Sequence, residues 1–372
     1  MLAFRHIIED VGLPEVKTFT PCNVRAKLEF QTWKTRLSMN TNSNEKYQLI
    51  SKWVGPFVLS AIFVLSISGR GQSPAGSPIV VKEGQKVVFL GDEMTVAGAA
   101  VPGGYVNLVV SGLGTLGVHI TPVPAGKGGT TNEMLARIDS DVISAKPDWV
   151  LLSSGFGDTW NRAVDIEVSR KNIAAMLDKL QAAGIKVMIL TPTSLEPIEN
   201  GLNTQLADYT ALLIKIAKER NLPVADLNAA FLSNLKAQPR GSIPPFLTSD
   251  NVHPNPAGSA LIAQTIISAL GATPDQMTKV ENAWLDAPGG ATVTGFCNFC
   301  VRHTTLSFAQ YEKLKKVAAD RKMAVFDLIN AVYLASIRDG LRAHGDFTNT
   351  NPDDMSNQVD PIFTQKIEAL VR

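Results

Sequence analysis

Short apolar runs alternate with amphipathic segments between residues 86 and 270. The runs predict strands, and they read VVFL at 87–90, GVHITPVPA at 117–125, PDWVLLSSG at 147–155, IKVMILTP at 185–192 and PVADL at 223–227. Apolar residues recur at helical spacing between them, as at 168–184 and 205–221. Because strands without polar alternation are buried on both faces, the pattern predicts a parallel sheet covered by helices on both sides. We expect functional side chains in the loops at one edge of this sheet.

A different hydrophobic pattern lies ahead of this region. Residues 53–68 are apolar and carry no charge, and lysines precede them. The run is shorter than the roughly 20 residues that span a membrane, and small residues at its end suit a cleavage site. We favour a cleaved signal peptide over an uncleaved anchor or a buried helix, so the protein is expected to be exported or membrane-anchored through 53–68. Met39 is the expected start of synthesis, because signal peptides lie near the N-terminus.

Composition excludes some partner classes and leaves others open. The chain has 35 basic and 34 acidic residues, a formal charge of +1, so no nucleic-acid partner is expected, and a membrane is expected only through the N-terminal anchor. The charge balance does not exclude small uncharged ligands. Cys22, Cys297 and Cys300 are too few for a disulfide framework. The CNFC segment favours a local disulfide or free thiols over a metal site, for which His303 is the nearest further ligand.

Two acids follow the first predicted strand directly. The sequence there is KVVFLGDEMT, so Asp92 and Glu93 come immediately after a glycine turn. This is where open α/β sheets gather their chemistry. Asp92 is predicted to cap the next helix, whereas Glu93 is either a reactive group or the replacement of one.

Four loops in this order resemble the sequence blocks of the SGNH (GDSL-type) hydrolase family. They are GDE at 91–93, the glycine loop GKGGTT at 126–131, GFGD at 155–158 and DNVH at 250–253. The resemblance covers residues 86 to about 270. It implies a three-layer α/β/α flavodoxin-like fold with a parallel sheet, ester hydrolysis on acyl or acetyl groups, including those on carbohydrates, and no cofactor.

The resemblance assigns roles residue by residue. His253 matches the general base, Asp250 the acid that orients it, and Gly129, rather than Gly128, the backbone donor of the oxyanion hole. Two positions depart from the family. Glu93 stands where the nucleophilic serine belongs, and Gly157 stands where an asparagine amide belongs, although Asp158 keeps the last letter of that block.

These two departures leave two functions open. Loss of the nucleophile and of one oxyanion donor predicts impaired or altered hydrolysis, or a noncatalytic ligand- or carbohydrate-binding protein on the same fold. Glu93 is expected to form a charge pair with His253 and to raise its pKa. A base or nucleophile role for Glu93 stays open. Taken one at a time, His253 also fits a helix cap, Asp250 a turn residue, and Gly129 and Gly157 loop glycines. Trp160 fits either a pocket wall or a buried aromatic residue.

The resemblance divides the chain into three parts: an N-terminal extension at 1–80, a hydrolase-like domain at 81–272 and a helical C-terminal extension at 273–372. In the last part, residues 287–296 predict a linker or strand, and two amphipathic helices follow with a break near Lys322. A strand before two helices also resembles a ribbon-helix-helix DNA-binding module. A helical hairpin that packs on the hydrolase-like domain explains the same periodicity and is preferred.

Overall fold

The computed structural model describes residues 79–161, 164–238, 245–297, 300–344 and 352–372. The predicted signal segment at 53–68 and the start at Met39 lie outside the described residues. So do the side chains of Cys297 and Cys300, on which the disulfide prediction depends.

A parallel sheet of five strands forms the centre of the fold, in the order β2-β1-β3-β4-β5. Its strands are β1 (Lys86–Gly91), β2 (Thr121–Gly126), β3 (Trp149–Ser153), β4 (Lys186–Leu190) and β5 (Val224–Ala225). This confirms the predicted α/β class and its flavodoxin-like strand order. The prediction placed the start of β2 four residues early; proline alternates with other residues at this exposed sheet edge, and pairing with β1 begins only at Thr121.

Helices connect the strands and cover both faces of the sheet. They are α1 (Glu93–Ala100), α2 (Tyr105–Thr115), α3 (Thr131–Asp141), α4 (Phe156–Asn161), α5 (Ile166–Ala182), α6 (Leu202–Glu219), α7 (Leu227–Lys236), α8 (Pro256–Ala269) and α9 (Pro274–Leu285). Alternate residues of β1 point to opposite layers. Val87 and Phe89 pack in the cluster that includes α2, α7 and α8, whereas Val88 and Leu90 pack with α3, α5 and α6.

The C-terminal part adds a β-hairpin and three helices to one of these layers. The hairpin pairs β6 (Ala291–Cys297) with β7 (Cys300–Leu306), and α10 (Phe308–Asp320), α11 (Val325–His344) and α12 (Pro352–Val371) follow. The turn between α10 and α11 contains Lys322 at φ 55°, at the predicted break. Phe308, Tyr333 and Phe363 are buried in the same cluster as Phe89 of the central sheet. The extension therefore packs on the hydrolase-like domain, as the preferred interpretation requires.

Among the described residues, no single helix is long and apolar enough to cross a membrane. In the part of the chain that the structure describes, α1 and α2 taken together, bent by 56° at their junction, reach that length and composition. The described part of the chain also contains no cluster of three His, Cys, Asp or Glu side chains arranged to hold a metal ion.

Candidate active site

His253 and Asp250 form a hydrogen-bonded pair on the loop that precedes α8. His253 Nδ1 lies 2.7 Å from Asp250 Oδ2, while Asp250 Oδ1 accepts from the backbone N–H groups of Val252 and His253. Since both carboxyl oxygens of Asp250 act as acceptors, Nδ1 carries the ring proton and Nε2 is directed away from Asp250. Burial raises the pKa of Asp250, but the hydrogen bonds from His253 outweigh it and the pKa is lowered overall. The two residues are thus arranged as a base and its orienting acid.

A buried carboxylate fixes this loop from the end of β4. Glu196 accepts hydrogen bonds from the N–H groups of Phe246 and Leu247, at 2.6 and 2.7 Å, and from the Thr248 hydroxyl at 3.2 Å. The Glu196 N–H donates in turn to the carbonyl of Asn251. Glu196 therefore ties the sheet edge to both sides of the His253 loop. No sequence signal indicated it, because its partners lie about fifty residues further along the chain.

Glu93 is the first residue of α1 and reaches toward the imidazole. Its Oε1 lies 4.0 Å from His253 Nε2, and about two thirds of its side chain is exposed. The hydrogen bond to Asp250 raises the pKa of His253, burial opposes this, and the charges of Asp250 and Glu93 add to the rise. The imidazole thus lies between two carboxylates that favour its protonated form.

Asp92 lies beside Glu93 but points into the protein. It caps α1, as predicted, by accepting from the Met94 N–H at 3.1 Å, and it is almost fully buried. Burial raises the pKa of Asp92 to about 6, against the opposing effect of the Met94 and Gly157 backbone amides. Of these amides only that of Met94 makes a hydrogen bond of good geometry, so Asp92 Oδ2 has no partner within the described residues. This carboxyl group is structural rather than accessible to a ligand.

The predicted oxyanion residues come together behind Glu93. Gly129 adopts φ 136°, a conformation that favours glycine, and its carbonyl oxygen faces Gly157. A Cβ atom on Gly157 would overlap that carbonyl oxygen. The loops after β2 and β3 therefore meet at backbone contact distance, and the asparagine that the family blocks place at residue 157 does not fit this arrangement.

Asp158 holds these two loops together. It is buried and accepts from the Thr131 N–H and hydroxyl, both at 2.8 Å, and from the Ser169 hydroxyl at 2.5 Å. The Ser169 hydroxyl also lies 2.9 Å from the hydroxyl of Tyr209. Asp158 thus joins the starts of α3 and α5 to its own helix, α4, and has a structural role.

Thr95 and Trp160 lie close to the site without joining it. The Thr95 hydroxyl is buried 2.8 Å from the hydroxyl of Tyr105, so it does not replace the missing serine. Trp160 is half exposed and stacks on Phe156, with ring centroids 5.7 Å apart. The expectation of a buried aromatic residue at this position is wrong, because α4 ends at the surface; nor does Trp160 line the cleft that borders His253.

A cleft of about 440 Å³ opens beside His253, and we call it the His253 cleft. Its walls come from α1 and the following loop, from the His253 loop and from the β6–β7 hairpin. Sequence reasoning did not assign the hairpin to the site, because no motif links residues 292–303 to the four blocks.

Comparison with known proteins assigns this arrangement to a family. Residues 89–261 match the sequence profile of the GDSL-like Lipase/Acylhydrolase family. This part of the chain belongs to that family. All four blocks lie within the matched residues, so the predicted recognition is confirmed.

Curated proteins and solved structures also resemble this part of the chain. The acetylxylan esterase of Geobacillus stearothermophilus is 28% identical over 216 residues, which are 51% of this chain and 96% of that protein. The crystal structure of Axe2, an acetylxylan esterase from the same organism, has 26% identity and a TM-score of 0.47, with 52% of this chain and 97% of that one covered. LAE5, an α/β hydrolase from the metagenome of Lake Arreo in Spain, has 25% identity and a TM-score of 0.47 over 52% and 98% of the two chains.

The described site can be set beside the GDSL-like family blocks position by position. Asp250 and His253 are paired, and the glycine loop lies beside α4. Glu93 presents a carboxylate in place of a serine hydroxyl, and Gly157 presents no side chain in place of an asparagine amide. The loops that the blocks predict therefore come together, with a carboxylate at residue 93 and no side chain at residue 157.

Proposed function

We propose that the chain is an ester-binding member of the GDSL-like family in which serine-dependent hydrolysis has been lost. The observation that carries this proposal is the carboxylate of Glu93 at the nucleophile position, 4.0 Å from the imidazole of a paired His253. A carboxylate that attacks an ester forms a mixed anhydride, which is more reactive than the ester that it came from. The covalent route of the family therefore gains nothing from Glu93.

The electrostatics of the site argue in the same direction. A general base must be neutral to accept a proton, and the pKa of His253 is raised by Asp250 and, to a lesser extent, by Glu93. An imidazolium between two carboxylates is a hydrogen-bond donor rather than a proton acceptor. Such a group suits the binding of an ester carbonyl better than the activation of a nucleophile.

The ligand class follows from the family and from one relative. We propose acyl or acetyl esters, including those on carbohydrates, since a relative of this chain is described as an acetylxylan esterase. Export through residues 53–68 is consistent with a polysaccharide ligand. N-terminal sequencing of the protein purified from its native source tests that part, and a mature protein that retains residues 53–68 contradicts cleavage.

The central experiment restores the nucleophile. Hydrolysis of an activated acetyl ester is measured for the purified protein and for the Glu93→Ser, Glu93→Gln, His253→Ala and Glu93→Ser/His253→Ala variants. We expect the unaltered protein to stay at background and Glu93→Ser to exceed it by about tenfold or more, a modest gain because a missing oxyanion donor alone costs roughly a hundredfold. The double variant is expected to fall back to background.

Glu93→Gln is the matched control for this gain. It removes the charge beside His253 and provides no hydroxyl group, so it separates relief of the charge pair from restoration of the nucleophile. Turnover by the unaltered protein that His253→Ala abolishes would overturn the proposal, and would assign to Glu93 and His253 an active mechanism such as activation of water.

A further inference from the structure

The β6–β7 hairpin presents one polar face to the His253 cleft. Thr292 and Thr294 are two residues apart on β6, and His303 is the cross-strand partner of Thr294. Since side chains alternate along a strand, these three point to the same face, and all three line the cleft.

The other face of the hairpin is fixed in the core. Ala291 and Val293 are fully buried, and Gly295 lies against the ring of Tyr333 on α11. The hairpin is therefore packed against the C-terminal helices while its polar face lines the cleft. This wall lies outside residues 89–261, the part that matches the family profile.

The facing walls of the cleft are largely carbon. Met94 and Ala97 of α1, Val101 after it and Pro254 beside His253 contribute apolar surface. His253 itself lines the same cleft, so a ligand whose ester group contacts the imidazole extends directly into this space. An apolar chain is the chemistry that such walls favour.

The polar groups of the hairpin face carry no net charge near neutral pH. Burial, and then the charge of Arg302, lowers the pKa of His303, so its imidazole is neutral. His303 Nδ1 lies 3.2 Å from the Thr294 hydroxyl, and the buried Thr292 hydroxyl has no hydrogen-bond partner in the described part of the chain. These groups do not favour an ionic ligand.

The size of the cleft favours a chain longer than an acetyl group. About 440 Å³ corresponds to roughly fifteen water volumes and falls within the range of small-molecule sites. An acetyl group has three heavy atoms and leaves most of this space unfilled, whereas a longer acyl chain covers the apolar walls.

We infer that the His253 cleft holds the apolar chain of an acyl group longer than acetyl, with the ester end at His253 and the β6–β7 hairpin as the wall that sets chain-length preference. This inference deepens the proposed function and rests on ester binding at His253. It assigns a ligand-binding role to Thr292, Thr294 and His303, which lie in the C-terminal extension.

The test measures binding without turnover. Acetamide, butyramide, hexanamide and octanamide, which are neutral and resist hydrolysis, are titrated into the full-length protein while the histidine ring resonances are followed by NMR. We expect affinity to rise about fourfold for each methylene that enters the cleft, with shifts at both His253 and His303.

Variants on two facing walls of the cleft test where the apolar chain of the ligand binds. Thr294→Phe on the hairpin and Ala97→Phe on α1 fill the cleft from opposite sides, and each is expected to weaken octanamide binding at least tenfold and to remove most of its preference over acetamide. Thr278→Phe, at an exposed position on α9 outside the cleft, is the matched control and is expected to leave both affinities unchanged.

Equal affinity for short and long amides overturns the inference, and so does a chain-length preference that persists in both cleft variants. These outcomes are separate from failure of the proposed function. If Glu93→Ser gains no activity while long amides bind as expected, the nucleophile argument fails and the cleft assignment stands. If Glu93→Ser gains activity but chain length has no effect, the reverse holds.

Discussion

A Cβ atom on Gly157 would lie 2.9 Å from the carbonyl carbon of Gly129 and closer still to its oxygen. The glycine at the asparagine position and the orientation of the glycine loop are therefore one coupled feature, since any side chain at residue 157 requires the backbone at Gly129 to move. Replacement of Gly157 by asparagine is therefore not expected by itself to provide an oxyanion donor.

This contact predicts a stability cost at Gly157. Gly157→Ala is expected to lower the free energy of unfolding by about 1–3 kcal/mol, because the added methyl group displaces backbone rather than a flexible side chain. Gly128→Ala is the matched control: a Cβ there meets nothing within 4 Å, and the change is expected to stay within about 0.5 kcal/mol. Urea unfolding measures both.

The same contact limits rescue of activity. In the Glu93→Ser background, addition of Gly157→Asn is expected not to raise ester hydrolysis, because the amide reaches the site only after Gly129 has moved. A further increase of a hundredfold, the usual effect of an oxyanion donor, would show that the loop rearranges readily and would contradict the coupling.

The titration of His253 tests the charge pair with Glu93. The raised pKa arises first from the hydrogen bond to Asp250 and to a smaller extent from Glu93, so Asp250→Asn is expected to lower the pKa of His253 more than Glu93→Gln does. NMR titration of the ring protons measures both variants. A Glu93→Gln variant with an unchanged His253 pKa would show that the 4.0 Å approach has no electrostatic effect.

The sign of the linked stability follows from the direction of this shift. His253 binds its proton more tightly in the folded state, so its contribution to stability is fully present below the unfolded pKa of 6.5 and is lost as pH rises through the folded pKa. The stability of the unaltered protein relative to Glu93→Gln is expected to be greatest in mildly acidic solution just below pH 6.5, where a carboxylate and an imidazolium are both charged, and to shrink above pH 6.5.

The buried carboxyl group of Asp92 is expected to make the stability of the protein change with pH in the opposite direction to that caused by an ion-paired carboxylate. Its pKa rises from 3.8 to about 6 through burial, so the folded state retains a proton that the unfolded chain releases, and stability falls as pH rises through this window. Asp92→Asn is expected to stabilise the protein above pH 6 by up to about 3 kcal/mol and to make no difference near pH 3. Thermal unfolding across pH tests this.

The control for Asp92→Asn is a second helix cap. Asp165 caps α5 by accepting from the Glu167 N–H, but it is exposed, so Asp165→Asn tests the replacement of the cap alone. If the two variants have the same pH profile, burial of Asp92 is not the source of the effect.

Local pattern was enough to predict the sheet and the four loops at its edge. Continuous apolar runs such as VVFL are typical of strands that are buried on both faces. Because these strands are parallel, the loops that follow them lie at the same edge of the sheet. Asp92 was predicted as a cap because its role depends on its neighbour Met94. These features are encoded within a few residues of each other.

What the sequence did not reveal depends on contacts between distant segments. The resemblance predicts an asparagine where Gly157 stands, but not that a side chain at residue 157 would overlap the Gly129 peptide. Likewise, residues 287–296 predicted a linker or strand, and nothing local indicated that Thr292 and Thr294 face the cleft beside His253. Glu196 is the clearest example, because a single acid before a proline belongs to no hydrophobic pattern or motif that would predict its contacts.

Glu196 is expected to act as a positioning residue for the His253 loop. Its carboxylate accepts from the N–H groups of Phe246 and Leu247 and from the Thr248 hydroxyl, and the amide of Glu196→Gln leaves at least one of these buried donors facing an N–H group. The variant is expected to lose about 1–3 kcal/mol of stability and, in the Glu93→Ser background, to lose most of the gained ester hydrolysis through a lower kcat rather than a higher KM.

Glu199→Gln, an exposed acid three residues further on, is the matched control and is expected to change stability by less than about 0.5 kcal/mol. Urea unfolding and ester kinetics together decide the question. A Glu196→Gln protein that is destabilised but keeps the full gained activity would show that this carboxylate supports the fold alone and does not set the position of His253.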